Sequence, residues 1–106
     1  RADTSLPDKL FENVTTVLTF LSNKYINGPN WIFEFHLSRR EDDCIGIEWL
    51  KENIYCCIYP DLIAIDKITL HPNQKVEHNE REFEIMSPEF FFSNFKINFE
   101  SLCFDY

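Results

Sequence analysis

Ser87-Pro88-Glu89-Phe90-Phe91-Phe92-Ser93-Asn94-Phe95-Lys96-Ile97-Asn98-Phe99-Glu100-Ser101-Leu102 carries five phenylalanines within ten residues, broken up by polar residues. Phe95, Ile97 and Phe99 alternate with Lys96, Asn98 and Glu100. A repeat of two is the mark of a strand with one buried and one wet face. The reading therefore places a strand here and a sheet-rich protein around it. Leu102, Phe104 and Tyr106 fall on the other parity, so a bulge or corner is expected at 100–101. Phe90, Phe91 and Phe92 break the alternation. Three consecutive rings cannot share one side of a strand, so at least one is exposed, covered by another layer or turned into a loop.

Upstream, most of the chain reads the same way. Trp31, Phe33, Phe35 and Leu37 alternate with Ile32, Glu34, His36 and Ser38, a half-buried strand. Residues 39–43 form a charged turn, and Ile45, Ile47 and Trp49 then resume the alternation, which suggests a hairpin. Residues 54–65 are apolar on both faces and are expected as central strands, interrupted at Pro60-Asp61. His71-Pro72-Asn73-Gln74 reads as a turn. Residues 77–84 read as an acidic loop leading into a short strand at Phe83 and Ile85.

The segment 8–25 stays open between two states. Leu10, Val14, Val17 and Leu21 fall at helical spacing, Ser5-Leu6-Pro7-Asp8 resembles a helix start, and Asn27-Gly28-Pro29 is a stop signal. Against a helix, five of the six residues 14–19 are β-branched, which favours a strand.

The 106 residues fit a single globular domain, 1–106, with one core. A net charge of −8 disfavours nucleic acid and anionic membranes as partners and is compatible with a preference for basic ones. Cys44, Cys56, Cys57 and Cys103 read as buried free thiols, at home in the cytoplasm or nucleus; pairing into two disulfides would imply secretion. Asn13-Val14-Thr15 is a glycosylation sequon, meaningful only in a secreted chain.

Chemistry is sparse. Two glycines exclude a phosphate loop, and neither Cys-x-x-Cys nor His-Glu-x-x-His occurs, so no metal site and no cofactor are expected. His36, His71 and His78 show no spacing to a nucleophile, and the chain is not expected to be an enzyme. Recognition remains, through a sheet edge, an aromatic groove or loops. Tyr55, Cys57 and Tyr59 share one strand face and are candidates to line such a surface.

Phe90-Phe91-Phe92-Ser93-Asn94-Phe95 and the residues to Leu102 resemble the late segment of MATH (meprin and TRAF-C homology) domains. Phe11-Glu12-Asn13-Val14-Thr15, Trp31-Ile32-Phe33-Glu34-Phe35 and Cys44-Ile45-Gly46-Ile47 resemble earlier strands of that family. The resemblance implies an antiparallel β-sandwich of about seven strands that binds peptide segments without catalysis. It also implies a role as a substrate-recruiting or scaffolding module. It places a binding groove at Glu89, Phe90, Phe92 and Cys44, although Phe91 stands where the family has glycine. A missing closing strand would leave an edge open to a partner or to a second copy. The rival expectation is a secreted, disulfide-bonded α+β binding or inhibitor protein, with an N-terminal helix packed on a curved antiparallel sheet.

Overall fold

The computed structural model describes residues 7–40, 43–84 and 88–104. Helix α1, Asp8–Lys24, leads into a 3-10 turn at Asn30–Phe33. Five strands follow: β1 (His36–Arg40), β2 (Cys44–Trp49), β3 (Ile54–Ile58), β4 (Leu62–Leu70) and β5 (Val76–Glu84). Helix α2, Pro88–Cys103, closes the order. The strands form one antiparallel sheet in sequence order, each paired with the next.

In α1, burial overrides local preference. Leu10, Asn13, Val17 and Leu21 are buried at helical spacing. The β-branched run inside the helix is accommodated: Val17 enters the core, and Thr16 Oγ1 donates to the Glu12 carbonyl at 2.8 Å. Helical stability in a folded protein comes chiefly from such packing. The stop signal acts as read: Tyr25 caps the last turn, and the Gly28 N–H donates to the Tyr25 carbonyl at 2.9 Å.

The sheet has two unlike faces. Ile45, Ile47 and Trp49 of β2, Ile54, Cys56 and Ile58 of β3, and Ile63 and Ile65 of β4 join one buried cluster with both helices. Trp49 Nε1 donates to the Ile32 carbonyl at 2.8 Å, pinning the 3-10 turn against β2. No described helix covers the opposite face.

Helix α2 overturns the sandwich. Phe91, Phe95, Phe99 and Leu102 are buried and Ile97 is 62% exposed. Successive rings of Phe91, Phe95 and Phe99 stack at 6.0 and 5.5 Å, each pair tilted by 14°. Such aromatic pairs contribute about 0.5–1.5 kcal/mol each beyond their buried area. Residues four apart share a face in a strand and in a helix alike, so the phenylalanines fit both periods. Ile97 discriminates: a strand would bury it beside Phe95 and Phe99. The change of parity near residue 101, read as a bulge, is the three-residue step from Phe99 to Leu102 on one helical face.

The antiparallel β-sandwich of about seven strands is therefore corrected to an α+β fold. One five-stranded sheet takes the place of two, and a pair of helices supplies the second layer. The rival expectation foresaw a helix at 8–25 over an antiparallel sheet but not α2. Nor are its disulfides present, since none of the four cysteines is disulfide-bonded. Two further elements differ from expectation: Trp31 lies in the 3-10 turn, so β1 begins only at His36, and the acidic stretch 77–84 is strand rather than loop. Ser5, Leu6, Glu41, Asp42, Ile85, Ser87 and Tyr106, used in the sequence reading, lie outside the described residues. No helix among the described residues is long and apolar enough to cross a membrane.

Candidate functional site

The residues expected to form a groove do not converge. Glu89, Phe90 and Phe92 occupy the first turns of α2, all exposed. Phe92 stacks on Phe20 of α1, with centroids 5.6 Å apart and rings tilted by 23°. A shallow cavity of about 270 Å³ lies there, bounded also by Thr19, Asn23 and Lys24. Cys44 sits in β2, buried, on the sheet face away from the helices.

That helix-free face holds the richer chemistry. Antiparallel register lines up side chains across the sheet in rows. One row runs His36, Glu48, Tyr55, Asp66, Glu80, from β1 to β5. The next runs Ser38, Gly46, Cys57, Ala64, Glu82, small residues until the last. The small row makes a trough beside the larger one. A cavity of about 260 Å³ opens into it, floored by Tyr55, Cys57, Ala64 and Ile68 and flanked by Asp66 and Glu80.

Arg40 forms the opposite wall. Its guanidinium pairs with Glu48 at 2.8 Å, although Arg40 itself stands opposite Cys44. To reach Glu48 the side chain runs along the strands past Ser38 and Gly46. Gly46 leaves room for this path: a Cβ there would stand 2.8 Å from Ser38 Oγ and 3.1 Å from Arg40 Nε. Ser38 Oγ and Asp66 Oδ1 are buried and find no hydrogen-bond partner among the described residues. The other Asp66 oxygen is 2.9 Å from His78 Nδ1.

No family model matches this chain, and neither does any curated protein or solved structure. The resemblance to MATH domains thus rests on its short motifs alone, and the longest of these is helical in this fold.

Cys57, on this face, is a poor nucleophile. Burial pushes Cys57 up to about 11, and neighbouring Cys44 adds to the rise while Arg40 opposes it. Cys56, on the core face, is raised well above its ordinary value by burial. A thiolate is the reactive species, so thiols held this high are inert at neutral pH. Among the described residues, no three His, Cys, Asp or Glu side chains form a group suited to a metal ion.

Of Tyr55, Cys57 and Tyr59, singled out in the sequence, the first two line the cavity and Tyr59, just past the end of β3, does not; Arg40, Asp66 and Glu80 are not evident from the sequence. In sequence Arg40 reads as part of a charged turn. Glu80, Glu82 and Glu84 read as a loop, although their alternation with Arg81 and Phe83 is itself a period of two. Polar residues at that period are as much a strand signal as apolar ones.

Proposed function

We propose that this chain is a non-enzymatic protein-binding domain that docks a basic partner against the helix-free face of its sheet. The observation that carries this reading is the composition of that face. Glu80, Glu82 and Glu84 line the edge strand β5, with Asp66 beside them on β4. Next to these acids lie the half-buried side chains of Tyr55, Ala64 and Ile68. An apolar strip beside a run of acids, with Arg40 across the cavity already paired to Glu48, resembles an interface more than an ordinary solvated face. A surface of lysine and arginine complements it, and the chain's net charge of −8 would steer such a partner at long range. The protonated state of Cys57 at neutral pH favours binding over thiol chemistry.

The probe is a short peptide alternating arginine with valine, titrated into isotope-labelled protein and followed by backbone amide resonances. Its glutamate counterpart serves as control. Shifts confined to β3, β4 and β5 that weaken with added salt are expected. Shifts centred on Phe20 and Phe92 instead, or equal shifts with the glutamate peptide, would overturn the reading. So would concentration-dependent shifts of the same amides without peptide, which would make a second copy the occupant.

A further inference from the structure

We infer that the cavity on the helix-free face is a pocket for an arginine side chain, whose guanidinium sits between Asp66 and Glu80. This deepens the proposed function and rests on that face being the docking surface. Asp66 and Glu80 stand directly opposite each other on neighbouring strands, on the same face. Like charges in that relation are destabilising, and opposite charges or apolar pairs are the usual solution. The pair therefore carries a cost within the free protein that a cation placed between the two carboxylates would remove.

A second observation is independent of charge. Asp66 Oδ1 is buried with no donor among the described residues, while Oδ2 already meets His78. An acceptor left without a donor calls for one, and Asp66 is in the wall of the cavity an arginine would enter. The cation nearest in the cavity wall, Arg40, does not supply it, being paired with Glu48 at 2.8 Å.

Arginine fits this setting better than lysine. Its planar fork of five N–H donors can serve two carboxylates at once, and it stacks on aromatic rings such as Tyr55. The aliphatic stem would lie along Ala64 and Ile68, which line the same cavity.

The test uses the whole chain, isotope-labelled, titrated with Nα-acetyl-arginine N-methylamide. The citrulline analogue, neutral and of the same shape, and the lysine analogue are titrated alongside. Arginine is expected to shift the amides of Tyr55, Asp66, Ile68 and Glu80, with citrulline silent and lysine weaker. Glu80→Gln is expected to weaken the arginine response about tenfold, as loss of one charge-assisted hydrogen bond does. The same variant should melt no lower than the parent, because it relieves the like-charge pair. An equal response to citrulline or lysine, an unaltered response in Glu80→Gln, or no response to arginine overturns the pocket. If the arginine-valine peptide still shifts β3 to β5 in that case, the docking surface stands without the pocket. If the peptide fails, the docking surface falls whatever the single residue does.

Discussion

The side-chain amide of Asn13 donates to the Tyr59 carbonyl oxygen at 2.9 Å, tying the first helix to the turn between β3 and β4. The same nitrogen reaches the Pro60 carbonyl at 3.0 Å. Asn13 is the one buried polar side chain in the described core. Asn13→Ala should lower stability by about 1–3 kcal/mol, the cost of removing a buried amide that donates to two part-buried carbonyls. Urea denaturation checks this. The amide that a glycan would occupy is the one held in this contact, so native protein made through a secretory route should show no added mass at Asn13.

The α2 face makes a contrast between neighbours. Phe95→Ala should cost about 3–5 kcal/mol, since its ring is wholly buried between Phe91 and Phe99. Ile97→Ala, two residues on and facing water, should stay within about 0.5 kcal/mol. Thermal melts of the two variants separate helix from strand directly, because a strand would make both residues equally costly.

Gly46→Ala should displace Arg40. The new methyl would crowd Ser38 Oγ and Arg40 Nε, both side-chain atoms able to move, so the fold should survive. The Arg40–Glu48 pair should break, which loss of the Arg40 Nε–H signal from its folded position would report. Arg40 is nearly half exposed, so a double-mutant cycle on the pair should give a coupling below about 1 kcal/mol.

Cys57 should make the protein sensitive to alkali. Its thiol is raised from about 9 to about 11 on folding. Below the lower value both states keep the proton. Between the two, the unfolded chain loses it while the folded chain holds it, so stability should fall as pH rises across that window. Cys56, shifted in the same direction, adds to the fall. Chemical denaturation at several pH values should show the decline, and Cys57→Ser should reduce it. Alkylation of native Cys57 should be slow at neutral pH and accelerate toward pH 11.

Much of the sheet was legible because its strands carry a clean alternation. Cys44–Trp49 and Ile54–Ile58 sit where their patterns place them, and the break at Pro60-Asp61 separates β3 from β4. The helices were harder for a physical reason. In α2, polar residues between phenylalanines four apart imitate the alternation of a strand, and only the burial of Leu102 and exposure of Ile97 reveal the turn of the helix. In α1, the β-branched run opposes the state that packing imposes. The helix-free face was partly legible, through Tyr55 and Cys57. Its acids were not, because a cross-strand partner such as Asp66 for Glu80 depends on register, which lies outside any local stretch.

The stacked phenylalanines of α2 bear on how this chain can vary. Substitution can exchange one ring for another side chain of similar bulk, at a cost confined to that position. Deletion of a single residue between Phe91 and Phe99 is another matter. It would turn every later side chain of the helix by about 100°, carrying rings out of the core on one side of the gap. Related chains should therefore differ in the composition of this helix while keeping its length between those two residues, and accept insertions in the hairpin turn at 71–75 instead.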